Sequence, residues 1–203
     1  LAARLADGGF DVIIGSRSRH RALEVRDKIL HKWPDHDLSI DAAENDGAAQ
    51  ADVVVVATPW DAAGSTAESV SSALSGKVVI SMGNALAKVG HEFQPLVPPR
   101  GSVAASVQAA VPESLVSAAF HHVPAKELGD LSQPVESDVL ICSDHPSATE
   151  TTIEIVCSLA DMRPLDAGRL SNAAPIEAFA AVLLQLNVRY KTRAAVKFTG
   201  IDV

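Results

Sequence analysis

Three guanidinium groups and two hydroxyls crowd into six residues near the start of this chain, Ser16-Arg17-Ser18-Arg19-His20-Arg21. They follow Val12-Ile13-Ile14-Gly15, an apolar run that predicts a strand over residues 11–15. A hydroxyl that donates and a planar guanidinium fork are the groups that hold phosphoryl oxygens. Ser18 is a good N-cap for a helix over residues 18–33, which puts Arg19, His20 and Arg21 in its first turn. Cations there oppose the helix dipole, at about 0.3–1 kcal/mol each. A bound phosphate reverses that conflict. The competing reading is a solvated basic patch, but in a chain of net charge −8 a basic cluster at this place is informative. In dinucleotide folds a carboxylate at the tip of the second strand selects NAD, and an arginine there accommodates the 2′-phosphate of NADP. No carboxylate follows Gly15, so Ser16 and Arg17 are expected to favour NADP(H).

Open α/β sheets bind ligands beyond the carboxyl ends of their strands, so the other strand ends matter as much. After Val53-Val54-Val55-Val56-Ala57 comes Thr58-Pro59-Trp60-Asp61. Thr58 is expected to cap a helix whose first turn takes Pro59. Trp60 then lies at the cofactor crevice or packs into the core. After a strand over residues 77–81 come Met82 and Gly83, where a missing side chain lets backbone approach a nicotinamide, or simply makes a turn. The fifth strand ends in Ala119-Phe120-His121-His122-Val123-Pro124. Adjacent residues on a strand point to opposite faces, which argues against a metal pair. His121 is the candidate hydrogen-bond donor to a substrate ring.

These residues need a scaffold. Strands are expected at residues 11–15, 52–57, 77–81, 115–119, 138–142 and 163–165. Helices are expected at residues 18–33, 61–74, 102–111, 147–160 and from 174 to 190. Near-continuous apolar strands alternating with helices predict a doubly wound, Rossmann-type α/β fold with a parallel sheet. Residues 1–166 form that domain, and residues 167–203 a small helical C-terminal part. Residues 85–100, with three prolines, read as loop. Residues 1–9 read as the end of a helix closed by glycine, so an earlier strand and a glycine-rich phosphate turn are expected upstream of Leu1, and the chain reads as a fragment.

Composition narrows the options. With 47% apolar and 21% charged residues, the 203-residue chain can bury a core. The acidic balance argues against nucleic acid as a partner. Cys142 and Cys157 read as buried free thiols in a reducing compartment, without metal-ligand spacing. No apolar run reaches membrane-spanning length and no signal peptide is visible, so a cytoplasmic protein is expected.

Taken together, Gly15-Ser16-Arg17, Thr58-Pro59-Trp60, Val116-Ser117-Ala118 leading to His121 and Pro124, and Arg163-Pro164-Leu165-Asp166-Ala167-Gly168 with Leu170-Ser171-Asn172 resemble the F420-dependent NADP oxidoreductases. The likeness runs from Leu1 nearly to the end. It implies a homodimer that transfers hydride between NADP(H) and the deazaflavin coenzyme F420. By position it implies that Ser16, Arg17 and Arg21 hold the 2′-phosphate, that Pro59 and Trp60 line the NADP groove, and that His121 touches the deazaflavin. The sequence departs from the family pattern at Ala174, Ala178 and Ala180, where the last helix elsewhere offers an Arg, a Ser and a Thr.

In such chemistry the two rings carry the reaction and the protein supplies placement and electrostatics. His121 is the one catalytic candidate; it or a backbone N–H would donate to the pyrimidine ring on which charge accumulates. The small residues Ala173, Ala174, Ala178, Ala180 and Ala181 form either a flat floor for the rings or a helix-packing face. Arg189, Lys191, Arg193 and Lys197 either attract the anionic tail of F420 or form a solvated face. Two other functions compete. A related NADP-dependent imine or keto-acid reductase needs a proton donor, and no Lys or Tyr stands at an expected strand end. An NADP-sensing module needs the arginine cluster but no second ring site.

Overall fold

The computed structural model describes residues 1–201; residues 202 and 203 of the expected C-terminal part lie outside the described residues. The strands are β1 (Val12–Ser16), β2 (Ile40–Glu44), β3 (Val53–Val56), β4 (Val78–Ser81), β5 (Leu86–Val89), β6 (Glu92–Pro95), β7 (Leu115–Ala118), β8 (Ser137–Ser143) and β9 (Met162–Asp166). The helices are α1 (Ala2–Asp7), α2 (Arg19–Lys32), α3 (Asn45–Ala48), α4 (Trp60–Ser69), α5 (Ser71–Leu74), α6 (Val103–Ala110), α7 (Ala125–Leu128), α8 (Pro146–Cys157) and α9 (Ala173–Tyr190).

The central sheet has the order β3-β4-β7-β8-β9, and β1 pairs with β2 in a separate parallel ribbon. Strands β3, β4 and β7 run parallel, and their helices cover them as an α/β fold requires. The expectation of a parallel sheet fails at its far side. β8 runs antiparallel to β7, and β9 then runs parallel to β8. A parallel return needs a crossover helix lying on the sheet. Between β7 and β8 the chain forms only the one-turn α7, so it comes back in the opposite direction.

Two strand regions escaped the sequence reading. β2 is Ile-Asp-Ala-Ala-Glu, with little β-branched character to signal a strand. Residues 85–100 are not all loop, because β5 and β6 form an antiparallel hairpin around Gly90 and His91. Gly90 sits at φ 62°, where glycine is the favoured residue. That hairpin packs on α9. The helix expected over residues 61–74 breaks at Val70 into α4 and α5.

Where β7 stops at Ala118, the free edge of β8 needs other partners. His122 Nε2 lies 2.9 Å from the Asp138 carbonyl and 3.3 Å from the Leu140 amide. The Asp138 amide donates to the Val196 carbonyl at 2.7 Å. The C-terminal tail thus touches the free edge of β8 at Val196, and His122 is a buried strut. The Asp138 carboxylate, 1% exposed, takes a bidentate fork from Arg163 at 2.8 and 2.7 Å. Arg163 also donates to the Phe198 and Ile201 carbonyls, which ties the tail to β9. On the other flank Arg4 is 4% exposed. Its guanidinium donates to the carbonyls of Glu127, Asp130 and Gln133, which clamps the loop after α7.

Candidate functional site

The basic corner forms as the sequence implies. Ser16 closes β1, Ser18 takes the N-cap of α2 in extended conformation, and Arg17, Arg19, His20 and Arg21 are exposed. The Ser18 side chain makes no capping bond to the first amides of α2. His20 faces Glu24 at 3.6 Å, whereas Arg17, Arg19 and Arg21 form no ion pair among the described residues. The corner is not wholly free of carboxylate, because the strand missed in the sequence sets Glu44 opposite Ser16. Glu44 is exposed and makes no ion pair with these arginines. Gly15 has a packing role as well. A Cβ there would meet the Ala48 Cβ at 2.8 Å, so its absence lets α3 sit on β1.

At the end of β3 the expected cap fails. Pro59, not Thr58, holds the N-cap position of α4, and no side chain bonds the helix start. Thr58 Oγ1 is instead buried without a partner. Trp60 begins α4, half-buried, and packs against the core cluster that contains Val56 and Val103. Met82 is half-buried, and its amide donates to the Val56 carbonyl at 3.4 Å. Gly83 permits a close approach, but of protein to protein. A Cβ there would lie 3.0 Å from Val103 Cγ1 and 3.9 Å from the Trp60 Cα. Gly83 therefore seats the start of α6 beside Trp60.

Beyond β7, Phe120 takes φ 64° and turns His121 inward. His121 is 5% exposed, and burial pushes its pKa down to about 3, helped by His122. A backbone hydrogen bond with Ala119 offsets this only in part, and Nε2 is buried without a partner. The neutral ring carries one N–H and one lone pair, and Nε2 is the buried ring nitrogen that no protein group satisfies. The Asn84 side-chain amide, which the sequence did not single out, donates to the His121 carbonyl at 2.6 Å. Asn84, His121 and Pro124 line a cavity of about 370 Å³, whose far wall is formed by Ala180, Leu183 and Leu184 of α9. Ala178 and Ala174 do not reach that cavity.

Buried polar atoms without partners are rare in folded proteins. Among the described residues, five lie at or just beyond the ends of the adjacent strands β3, β4 and β7: Thr58 Oγ1, Ser81 Oγ, Asn84 Oδ1, His121 Nε2 and His122 Nδ1. Such a strip is what a bound polar ring would satisfy. The basic tail contributes less than its sequence implied. Arg193 pairs with Glu127 at 2.6 Å and Lys197 with Glu136 at 3.0 Å. Cys142 is buried, with its thiol pushed up to about 11 by burial, whereas Cys157 is exposed, contrary to expectation; both are free. No helix among the described residues is long and apolar enough to cross a membrane.

A mostly parallel sheet with orphaned polar atoms at its strand ends defines a Rossmann-type protein with a ligand groove. Comparison with known proteins gives the family. Residues 1–85 match the family model of the NADP oxidoreductases described as coenzyme F420-dependent. The chain is 34% identical to the F420-dependent NADP reductase of Methanocaldococcus jannaschii, over 100% of this chain and 93% of the relative. It is 33% identical to the F420-dependent NADP reductase of Methanothermobacter thermautotrophicus, over 99% and 89%. A solved structure from Arthrobacter sp. FB24, provisionally described as an F420-dependent NADP reductase, superposes with a TM-score of 0.79 at 22% identity, over 97% of this chain and 93% of the other. The chain belongs to the F420-dependent NADP reductase family.

Proposed function

We propose that this protein transfers hydride between NADP(H) and the deazaflavin coenzyme F420. The observation that carries the reading is the exposed arginine corner at the end of β1, set on a helix start that no side chain caps. Arg17 and Arg21 supply the planar forks and Ser16 the hydroxyl that together hold a 2′-phosphate. From there the dinucleotide runs along the strand ends past Thr58, Pro59, Trp60, Met82 and Gly83. The deazaflavin docks in the cavity walled by His121, Pro124 and α9. Hydride passes between C4 of the nicotinamide and C5 of the deazaflavin, and both rings carry that chemistry themselves. The chain's part is to stack two flat rings at about 3–3.5 Å and to exclude water from between them.

Mixing the protein with NADPH and F420 tests this. Loss of deazaflavin absorbance is the expected result. Binding of NADPH without turnover supports a sensor instead, and turnover only with imines or keto acids supports a related reductase.

The same reading includes a homodimer in the cytoplasm. On α9, Pro175, Phe179, Val182 and Leu186 recur at helical spacing and all are exposed. Exposed Leu96 and Val97 follow the hairpin that packs on that helix. A second copy of the chain covers this stripe. Val182→Glu is expected to convert the dimer to monomer in sedimentation. An unchanged sedimentation coefficient removes α9 from the interface.

A further inference from the structure

We propose that Asn84 and His121 form a pair of hydrogen-bond acceptors that recognises the N–H edge of a flat heterocyclic ligand, which makes Asn84 a binding residue of the site. This rests on the reading that two ring cofactors meet at these strand ends, and it adds the polarity with which the protein grips one of them.

The two residues come from different loops, Asn84 after β4 and His121 after β7, and the fold joins them. Asn84 Nδ2 donates to the His121 carbonyl at 2.6 Å. That bond fixes which way the amide faces, since a flipped amide would set oxygen against oxygen. Asn84 Oδ1 is then committed to the other side, buried and unpartnered. His121 Nε2 is buried and unpartnered as well, and both residues line the same cavity. The Ala119 backbone favours a proton on the ring's other nitrogen, and Nε2 then offers a lone pair. Desolvation keeps that ring uncharged, with its pKa near 3, at any pH at which the protein operates.

Two desolvated acceptors without donors are costly, and a ligand that brings N–H groups removes the cost. Val123, Leu183 and Leu184 give the same cavity an apolar wall against which a ring can lie. The matching chemistry is an N–H edge on a planar ring. The primary carboxamide of nicotinamide presents one, with two N–H bonds. The imide of the deazaflavin pyrimidine ring presents another, with a single N–H.

Analogues that lack those hydrogens test the pair. In the 3-acetylpyridine analogue of NADPH a methyl group replaces the carboxamide nitrogen, and in an N3-methylated deazaflavin the imide hydrogen is gone. The wild-type protein is expected to prefer at least one natural ring over its analogue by about tenfold or more in kcat/KM, because a site built of acceptors rejects a ligand without donors. The analogue that is rejected identifies the ring. Asn84→Ala and His121→Leu are each expected to shrink that preference to about threefold or less, and His121→Gln, which restores an acceptor, to recover part of it. A residue that only pins the two loops would lower the rates on parent and analogue alike and leave their ratio unmoved. The wild-type comparison needs no variant to fold. Equal handling of both analogues by an enzyme with normal NADPH–F420 turnover overturns the acceptor pair alone. Absence of that turnover overturns the functional reading and the pair together.

Discussion

The arginine corner and the ring cavity lie at strand ends of the same fold, and the proposed function asks them to hold ligand by opposite physics. The corner is exposed. Its Arg17, Arg19 and Arg21 stand in water, unpaired among the described residues, on a helix start with no capping side chain. Charge there acts at a distance, is screened by salt, and on the proposed function distinguishes a ligand by one phosphoryl group. The cavity is desolvated. Its histidine is neutral and its polar atoms wait unpartnered. Recognition there is short-range and needs walls that do not move. The wall supports are correspondingly buried: Arg4 across three carbonyls, Asn84 on the His121 backbone, and the Asp138–Arg163 fork under the tail. On the proposed function, capture is the task of a loosely held charge cluster, and alignment the task of a braced pocket.

If the two regions are separable in this way, the largest effect on the cavity should leave the corner untouched. Asp138→Ala removes the buried half of the fork and the acceptor for the Phe198 amide. The expected loss of stability is about 3 kcal/mol, at the low end for a broken buried pair because Arg163 keeps access to solvent. Chemical denaturation measures it. The tail segment at Thr192, Arg193 and Ala194 lines the cavity, so turnover with deazaflavin should fall further than the stability loss alone explains. The ratio of NADPH to NADH affinity should stay as in the wild type. A ratio that collapses with the tail would show that the regions are one cooperative unit.

Arg17→Ala is the converse and carries the next largest effect. Loss of one charge-assisted fork should weaken NADPH about 10- to 100-fold and leave NADH nearly unchanged. Titration of nucleotide fluorescence measures both. The wild-type affinity for NADPH should fall with added salt more steeply than that of the variant. Equal losses for the two nucleotides would take the 2′-phosphate out of this corner.

The same contrast explains what could be read without coordinates. The corner was legible because its parts are consecutive: strand, hydroxyl, arginine, helix start. Even there β2 was missed, and with it Glu44, because Ile-Asp-Ala-Ala-Glu has no strand propensity of its own and is held by pairing with β1. The cavity was only partly legible. His121 is singled out by its place at a strand end, but nothing in His-His-Val-Pro states how deeply the ring is buried or that burial keeps it neutral. Asn84 lies 37 positions away from His121 and announces itself only through a backbone carbonyl it reaches in three dimensions. The reversal of β8 was equally hidden. Its apolar run suits either direction, and the deciding fact is the shortness of α7.

The smallest expected effect concerns how α9 is fastened behind the cavity. Glu177, 5% exposed, accepts the amides of Val103 and Ala104 at 2.8 and 3.1 Å, and so bridges α9 to the start of α6. Burial pushes its pKa from 4.5 up to about 7, against the pull of those two amides. The folded protein therefore holds a proton on Glu177 that the unfolded chain has released between these two values. This group's contribution to stability is whole below about pH 4.5 and is lost as pH rises through about 7. Cys142, the neighbouring thiol on β8, is pushed up to about 11 by burial with help from Asp166 and Glu177, and stays neutral over that range. Glu177→Gln abolishes the titration. The melting temperature of the wild type relative to the variant should fall from pH 5 to pH 8, and the deazaflavin KM should rise over the same interval in the wild type alone. A difference between the two proteins that stays constant with pH would mean that Glu177 is ionised throughout, and that the back wall of the cavity is held by charge on the helix start, the same device as at the arginine corner with the sign reversed.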